Sequence, residues 1–565
     1  MGIQEDIKPR MRWWGWGVDG NDKPIKPAAV KILTEYCGMN KDANTPPPNI
    51  DDVKVNPSAL DADDIAALKE VVGAEFFKDD HYTRVIHSYG RSYPDLLRLR
   101  LGVIEIAPDA IVYPGTEEEI ASVIKVCEER DIAIIPFGGG TSVAGGVEAV
   151  RGGFEKAISL STLRFNKIKE INKDSMTVTV QPGVFGPDLE EELGKHGVTV
   201  GHFPQSFEFS TVGGWVSCRS SGQESSGYGR IDKNVIGLRI VTPKGVMELR
   251  DMPSSAAGPD PRQFFLGSEG VMGIITEATI QIHHKPEVMV FDSYFFNSFE
   301  EGIEVFRELK QKNQLPHLAR LSNEKETWFG IEQLGGGKLG ETLTKYLNFR
   351  GINTPCMAVF GFGGGQVEAR AEREAFNLKM IGKNCVRLGP TAGNIWVKER
   401  FTSPYLRDVM MTKDIAVDTL ETCTTWDNAV NLHSKIVHDM EAAGNAHGTP
   451  LFLFCHVSHT YQSGCSLYFT YFMNEKKGEE MQQWSDVKDA ATMAMEHNGG
   501  TCTHHHGVGQ DHAPGLLIEN GDLWIEFLRA AKKFYDPKGI LNPAKLQDGP
   551  VSLRARYEED DPLVR

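Results

Sequence analysis

The sequence PFGGGTSV, residues 136–143, is the most informative stretch of the chain. It follows DIAIIPF (131–137), a short apolar run typical of a buried strand, so the glycines leave that strand at its carboxyl end. Three consecutive residues without a Cβ allow backbone N–H groups to close on a pyrophosphate. The glycines are contiguous, and no GxGxxG pattern with a following acidic residue opens the region. The pattern therefore favours FAD over a nicotinamide dinucleotide.

The composition is that of an ordinary globular protein too long for one compact core. Of its 565 residues, 40% are apolar and 24% charged, so we expect two or more domains. The 60 basic and 77 acidic side chains give a net charge of -17, which argues against nucleic acid as the main partner. Nine cysteines with no CxxC pair favour a reducing compartment.

The sequence pattern predicts a succession of structural units. An arm at residues 1–75 carries the aromatic cluster RWWGWG (12–17), which we expect to anchor it on the main body. Residues 76–285 combine βα units with alternating strands such as SMTVTVQPG (175–183), GIITEATIQI (273–282) and the hairpin GLRIVTPKGVMEL (237–249). Such a mixture predicts an α+β nucleotide domain. A second unit spans residues 286–500, and residues 501–565 hold a helix at 522–534.

Four loops, in their order along the chain, carry a family resemblance. They are PFGGGTSV, FSTVGGWVSCRSSG (209–222), GSEGVMGIITEATI (267–280) and DPKGILNP (536–543). Together they resemble the FAD-binding domain of the vanillyl-alcohol oxidase and p-cresol methylhydroxylase superfamily. Within it, the WGWG cluster, GHFPQSFEFSTVGGWVS (201–217), TYQSGCSLYFTY (460–471) and HHHGVG (504–509) resemble the alkyldihydroxyacetonephosphate synthase family.

The resemblance implies an α+β, two-domain flavoenzyme. It has a PCMH-type FAD-binding domain (76–285), an α+β cap that holds substrate (286–500), and a C-terminal segment (501–565) that returns to the FAD site. FAD contacts are expected from Pro136, Phe137, Gly138, Gly139, Gly140, Thr141 and Ser142; from Gln205, Ser206, Phe207, Glu208, Phe209, Ser210 and Thr211; from Cys218, Arg219, Ser220 and Ser221; and from Glu269, Gly270, Val271, Met272, Gly273, Ile274 and Ile275. The glycine loop holds no histidine, so we expect non-covalent FAD.

Three adjacent histidines and a tyrosine are the candidate catalytic groups. His504, His505 and His506 can take or return protons, because an imidazole titrates near neutral pH. The alternative is a solvated tract or a metal-binding patch. Tyr468 matches the family's active-site tyrosine, and its phenol needs a neighbouring charge or hydrogen bond to move a proton at neutral pH. Alternatively, Tyr468 is an aromatic residue of the hydrophobic core.

Two arginines complete the predicted site. By resemblance, Arg407 in SPYLRDVM anchors the substrate and Arg320 in HLARLS is a second substrate-binding arginine. A guanidinium fork suits a phosphate or carboxylate inside a pocket. The alternative for each is a structural or surface salt bridge.

The implied reaction exchanges the acyl group of acyl-dihydroxyacetone phosphate for a long-chain alcohol through a flavin N5 adduct, as in ether-lipid synthesis. The rival interpretation is an FAD-dependent oxidase or dehydrogenase of a 2-hydroxy acid or related alcohol. His456 and His459 could join the histidine tract in a metal site, but the HGDGN element and Glu-His pair of metal-dependent hydroxy-acid dehydrogenases are absent from the sequence. We therefore expect no metal.

Localisation and partners follow from the same sequence. It contains no apolar run of about 18 residues, no secretory h-region and no peroxisomal SKL ending, so we expect a cytoplasmic protein, with membrane association left open. Both substrates have long chains that partition into bilayers. We expect these lipid-like partners, a homodimer and no nucleic acid.

Overall fold

The computed structural model describes residues 9–104, 106–335 and 338–553. The arm at the start of this range is mostly irregular and wraps over the main body. Its regular elements are α1 (Pro27–Cys37), β1 (Lys54–Val55) and α2 (Ala62–Val72), with single 3₁₀ turns at Ile50–Asp52 and Ala74–Phe76.

The glycine loop and the other cofactor motifs belong to a region with two sheets. Its elements are β2 (Phe77–Lys78), α3 (His81–Ile86), α4 (Tyr93–Leu101), β3 (Val103–Ile104), β4 (Ala110–Val112), α5 (Glu117–Arg130), β5 (Ile132–Phe137), β6 (Lys156–Ser161), β7 (Ile168–Asn172), β8 (Thr177–Val180), α6 (Gly186–Lys195), β9 (Val198–Thr199), α7 (Val212–Ser217), α8 (Ser225–Tyr228), α9 (Ile231–Asn234), β10 (Val235–Thr242), β11 (Gly245–Leu249), α10 (Pro261–Phe265), β12 (Ile274–Gln281) and β13 (His283–His284).

One of these sheets has the order β2-β4-β6-β5, with β4, β6 and β5 parallel. The other is antiparallel, with the order β11-β10-β12-β8-β7. Two short pairs, β1-β3 and β9-β13, stand beside them. The predicted hairpin is confirmed as β10 and β11, and the predicted alternating strands as β8 and β12. β5 ends at Phe137, so the glycine loop begins at the carboxyl end of a strand, as predicted.

The cap region is a seven-stranded antiparallel sheet with helices. It consists of β14 (Val288–Phe296), α11 (Phe299–Gln311), β15 (Leu318–Ser322), α12 (Glu324–Gly335), α13 (Lys338–Phe349), β16 (Cys356–Gly364), α14 (Gln366–Lys379), β17 (Cys385–Arg387), α15 (Thr391–Glu399), α16 (Ser403–Met411), β18 (Ile415–Thr425), α17 (Ala429–Ala446), β19 (Phe452–Val457), β20 (Gly464–Asn474) and α18 (Glu480–His497). The strand order is β17-β14-β16-β15-β19-β20-β18.

The C-terminal segment returns to the first region. It contains α19 (Ala513–Tyr535), which is broken at Gly521 (φ 72°), so the predicted helix is its second half, and a 3₁₀ turn at Leu546–Asp548. The Ile134 N–H donates to the Ile540 carbonyl (2.8 Å), and the Asn542 N–H donates to the Ile134 carbonyl (2.8 Å). The terminal motif DPKGILNP therefore lies beside β5, next to the glycine loop.

The predicted α+β fold class is confirmed, and apolar packing joins the two regions. The largest buried apolar cluster combines cap residues such as Phe360 and Phe469 with Tyr93 and Leu96 of α4. Separate clusters fill the interior of the two sheets in the first region. Among the described residues, no helix is long and apolar enough to cross a bilayer. The domain boundaries given above stay a prediction.

Candidate active site

A cavity of about 490 Å³ lies between the glycine loop and the cap sheet. Its lining comes from both regions and from the arm. The glycine loop forms one wall, strands β15, β18, β19 and β20 form the opposite wall, and α15 and α16 close one side. The cavity therefore joins the predicted cofactor loops to the predicted catalytic groups.

The glycine loop packs directly on the loop that precedes α7. A Cβ added at Gly139 would lie 1.9 Å from the Phe209 carbonyl oxygen, and one at Gly138 would lie 2.4 Å from Thr211 Oγ1. Neither position can hold a side chain without moving the two loops apart. Within the part of the chain that the structure describes, Thr211 Oγ1 and Ser221 Oγ are buried, line the cavity and lack a hydrogen-bond partner. These unpartnered hydroxyls beside exposed glycine backbone fit the polar oxygens of FAD.

The predicted FAD-contacting residues divide into two groups. Those that line the cavity are Gly138, Gly139, Gly140, Thr141, Ser142, Gln205, Ser206, Ser210, Thr211, Cys218, Ser220 and Ser221. The others do not line the cavity: Pro136, Phe137, Phe207, Glu208, Phe209, Arg219, Glu269, Gly270, Val271, Met272, Gly273, Ile274 and Ile275. Val271 and Met272, for example, are buried in an apolar core.

Glu269 links two of the predicted motifs. Its carboxylate accepts the N–H groups of Val508 (2.5 Å) and Gly509 (2.8 Å), which follow the histidine tract. Burial raises the pKa of Glu269 to about 7, although these two N–H donors oppose the rise. The GSEG loop thus holds the turn that presents the histidines.

Three cross-strand rows on one face of the cap sheet change from polar to apolar. Side chains two apart along a strand point to the same face. The first row contains Glu421 on β18, Tyr468 on β20 and His456 on β19. The second row is Thr419, Thr470 and Phe454, and the third is Val417, Phe472 and Phe452. Every member except Glu421 and Phe452 lines the cavity, so polarity falls along its length.

Tyr468 lies between imidazole rings. Its ring centroid is 4.8 Å from that of His456 and 5.8 Å from that of His505, both stacked, and 5.5 Å from that of His506. Burial raises the pKa of Tyr468 to about 12, while a hydrogen bond with Thr419 opposes the rise. The sequence-predicted tyrosine and two of the three histidines therefore meet at one wall of the cavity. His504 lies behind that wall.

Glu421 positions the histidine tract. Its fully buried carboxylate accepts backbone N–H groups of His504, His505 (3.0 Å) and His506 (2.8 Å), and the hydroxyl of Thr503 (2.8 Å). Burial opposes ionisation, but the contacts with the histidine tract, including its backbone N–H donors, outweigh burial and hold the pKa of Glu421 well below its usual range. No glutamate is adjacent to the three histidines in the sequence, but Glu421 of β18 lies beside them in the fold. The sequence signal that could have identified Glu421 is its carboxylate within the mostly buried strand IAVDTLETCTT.

Burial keeps the histidines neutral at neutral pH. It lowers the pKa of His505 to about 3 and that of His506 to about 4, although Glu421 opposes the shift in both. Burial also lowers the pKa of His504 well below 6.5, with His459 and His505 adding to the effect. The three rings therefore start as proton acceptors and not as imidazolium ions.

The two predicted arginines line the cavity but differ in their partners. Arg407 Nη1 donates to the Arg91 carbonyl (2.8 Å), while its buried Nε has no partner among the described residues. Arg320 Nη2 donates to Glu326 (2.6 Å) and to His456 Nδ1 (2.9 Å). Arg407 therefore retains free hydrogen-bonding capacity for an anion, whereas the charge of Arg320 is balanced by a carboxylate.

The aromatic arm contributes to the cavity lining beside Arg407. Trp16 lines it, and the Trp16 backbone N–H donates to Asp408 (2.6 Å), which also accepts from Arg12 (2.9 Å). Buried Arg91 donates to the carbonyls of Arg12 (2.9 Å) and Gly15 (3.0 Å). The arm is therefore anchored as predicted, but its contact with the cavity beside Arg407 was not predicted from sequence.

The end of the cavity that includes the third strand row is apolar. Phe329, Phe454, Phe472, Val417 and Met410 line it. They belong to a cluster that also contains Ile32 and Leu33 of α1, so the arm helix packs against this end. Such a lining fits hydrocarbon and offers no hydrogen bond.

The structure also brings together groups that could ligate a metal. One atom each from His459, His504 and His505 lie within 4.8 Å of one another, as do atoms of Glu421, His505 and His506. The Glu421 oxygens already accept backbone N–H groups, and His459 Nε2 lies 3.0 Å from the Gly222 carbonyl oxygen. The expectation of no metal stays a prediction.

Comparison with known proteins decides the family. A family model described as "FAD binding domain" matches residues 108–249, and one described as "FAD linked oxidases, C-terminal domain" matches residues 285–546. Alkyldihydroxyacetonephosphate synthase of Dictyostelium discoideum is 32% identical over 512 residues, covering 89% of this chain and 83% of the relative. The chain belongs to the alkyldihydroxyacetonephosphate synthase family.

Two further similarities agree with that membership. The alkyldihydroxyacetonephosphate synthase of Trypanosoma brucei brucei is 30% identical over 590 residues, covering 97% of this chain and 94% of the relative. A solved alkyldihydroxyacetonephosphate synthase structure superposes with a TM-score of 0.82 at 29% identity, covering 95% of this chain and 99% of that one. The predicted family and the predicted FAD cofactor of this synthase-family member are confirmed.

Proposed function

We propose that the protein exchanges the acyl group of acyl-dihydroxyacetone phosphate for a long-chain alcohol, giving an alkyl ether and a free fatty acid. The observation that carries this proposal is the gradient along the cavity. An arginine with free donors, a tyrosine and histidine wall and an apolar end lie in one space beside the FAD loops. A substrate with a phosphate head, a reacting carbon and a hydrocarbon tail has one group for each of these three surfaces.

Arg407 binds the phosphate in this scheme. Its unpartnered Nε and its remaining donors can form charge-assisted hydrogen bonds with a dianion. Arg320 makes a second, weaker contact, because Glu326 already balances its charge. This arrangement fixes the substrate head at one point of the cavity.

Tyr468, with the neutral imidazoles of His505 and His506, handles the protons. Both histidines line the cavity and contact the Tyr468 ring. FAD, when bound by the glycine loop and its neighbours, supplies an electron-accepting ring for the reacting carbon. In the net reaction the bond between the dihydroxyacetone C1 and the ester oxygen breaks, a bond between that carbon and the alcohol oxygen forms, the fatty acid leaves as a carboxylate and the alcohol loses its proton, so no electrons leave the protein.

The apolar end holds the hydrocarbon of the acyl group or of the alcohol. Phe454, Phe472 and Phe329 replace water around the chain, which favours long chains over short ones. We further propose a cytoplasmic homodimer that meets its lipid substrates at a membrane surface.

A second candidate, oxidation of a 2-hydroxy acid or related alcohol, rests on the match of residues 285–546 to the FAD-linked oxidase family model. It leaves the apolar end of the cavity without a role. Reduction of the flavin by such a substrate, with electrons passed to a dye or oxygen, would favour this candidate.

The experiment is incubation of the purified, FAD-loaded protein with acyl-dihydroxyacetone phosphate and hexadecanol, followed by mass analysis. We expect the hexadecyl ether and one equivalent of fatty acid per turnover. A control without alcohol distinguishes exchange from hydrolysis. Hydrolysis alone, or no product, would contradict the proposed function.

A further inference from the structure

The proposed exchange releases a proton inside the cavity. When the alcohol oxygen bonds to the substrate carbon, its hydrogen leaves as a proton, and the departing carboxylate leaves as an anion. His505 lines the cavity and is neutral, so it can accept that proton. Each turnover then requires His505 to lose the proton before the next one.

A line of hydrogen-bonding groups leads away from His505 on the side opposite the cavity. His505 Nδ1 lies 2.9 Å from His504 Nδ1, and His504 Nε2 lies 2.5 Å from the Tyr461 hydroxyl oxygen. His504 and Tyr461 do not line the cavity. Tyr461 is half-buried and precedes the exposed residues Gln462 and Ser463. The line therefore leads from the reacting space to a half-buried tyrosine that adjoins exposed residues.

We propose that His505, His504 and Tyr461 form a proton relay that carries the alcohol proton from the cavity to solvent. This inference rests on the proposed function. The proton bonds to His505 Nε2 as His505 Nδ1 gives its own proton to His504 Nδ1. His504 Nε2 then passes a proton to the Tyr461 oxygen, whose original hydrogen leaves to water. Each group accepts one proton and releases one, so the relay itself gains no charge.

The surroundings of the relay favour passing a proton on and disfavour a lasting charge on any of its members. The charged or titratable groups that act on its members are Glu421, Arg230, His459, His506, His456, Cys423 and Asp232. Burial raises the pKa of Tyr461 to about 12, and Arg230 opposes that rise. Both a lasting imidazolium and a lasting phenolate are therefore unfavourable, so a proton entering at His505 leaves at Tyr461.

Tyr461→Phe tests the relay without removing the fold contacts of this residue. The Tyr461 backbone N–H donates to the Gly464 carbonyl (2.7 Å), and the Tyr461 carbonyl accepts from Trp426 Nε1 (3.1 Å). Because both contacts use the backbone of residue 461, phenylalanine keeps them. We expect kcat of the holoenzyme to fall by about 10²-fold, the lower end of the usual effect of a positioned proton donor. The matched control Tyr82→Phe removes a hydroxyl from an exposed tyrosine and should leave kcat unchanged.

The decisive readout is the dependence of kcat on the mole fraction of D₂O. Wild-type enzyme should give a curved plot, because several protons move together, and Tyr461→Phe should give a straight one. Wild-type ether formation in the same assay separates failure of the relay from failure of the proposed function. A variant with wild-type kcat, or with a curve identical to that of wild type, would overturn the relay.

Discussion

The two ends of the cavity are built on the same strands and yet have opposite character. At one end, Tyr468 and His456 share a cross-strand row with the buried carboxylate of Glu421. At the other end, Phe472 and Phe454 form an apolar wall. On β20 the change from Tyr468 to Phe472 takes four residues, and on β19 the change from His456 to Phe454 takes two. The period-two geometry of a strand thus places chemistry and chain binding on one continuous face. Each end makes a different prediction.

The largest effect is expected at the polar end, from Tyr468→Phe. Removal of the hydroxyl takes away a proton donor that is stacked between His456 and His505 while the ring packing remains. We expect kcat to fall by about 10³-fold, within the range for general acid–base groups. Steady-state ether formation measures the loss, and the visible flavin spectrum checks that FAD is retained. Unchanged turnover would remove Tyr468 from the chemistry.

Substitution of the two arginines is expected to give the next largest effect, a rise in KM, and to show which arginine binds the phosphate. Arg407→Lys removes the planar fork with the unpartnered Nε, and we expect KM for acyl-dihydroxyacetone phosphate to rise by about 10- to 100-fold. Arg320→Lys should change KM less, because Glu326 already balances that charge. Competition by inorganic phosphate should weaken in the first variant only. Equal effects of the two substitutions would contradict the assignment of the phosphate to Arg407.

At the apolar end we expect a smaller, graded effect. Phe454→Leu enlarges the cavity and should shift the preferred alcohol towards longer chains, since each buried CH₂ contributes about 0.8 kcal/mol, or about fourfold. Phe452→Leu is the matched control, because Phe452 is buried in the same cluster but does not line the cavity. Measurement of kcat/KM across an alcohol series should show the shift in the first variant alone. A similar shift in both would mean that this end does not bind the chain.

The smallest effect is expected from pH, and it concerns stability. Burial places the folded-state pKa values of His505 and His506 at about 3 and 4, below the unfolded value of about 6.5. Below pH 6.5 the unfolded chain therefore binds more protons than the folded one, and the free energy of unfolding falls as pH drops towards 4. Above pH 6.5 these histidines contribute no pH dependence. Thermal unfolding between pH 4 and 8 checks the sign, and rising stability on acidification would contradict it.

The fold and the polar end were largely predictable from sequence, and the apolar end was not. The glycine loop, the β10–β11 hairpin and HHHGVG carry local patterns of residue type and spacing. Glu421, by contrast, lies 83 residues from His504, and its contact with the histidines depends on strand register. The apolar lining is also a product of register, because Phe454 and Phe472 are no different in sequence from core phenylalanines.

Tyr461 and Trp16 illustrate the same limit. Tyr461 lies within a quoted family motif, but its hydrogen bond with His504 joins two loops distant in sequence. Trp16 was expected to anchor the arm, and it also lines the cavity. A local pattern indicates which residues are unusual, whereas tertiary contacts decide what each of them touches.

One measurement tests the central claim that a single cavity performs acyl-for-alkyl exchange without net oxidation. Purified holoenzyme is mixed, without oxygen or any electron acceptor, with acyl-dihydroxyacetone phosphate and ¹⁸O-labelled hexadecanol, while the visible flavin spectrum is recorded. We predict continued turnover, an ether that retains the ¹⁸O label, and a flavin that is oxidised once the reaction is complete. Turnover that stops after one equivalent with a bleached flavin, or an ether without the label, would contradict the account.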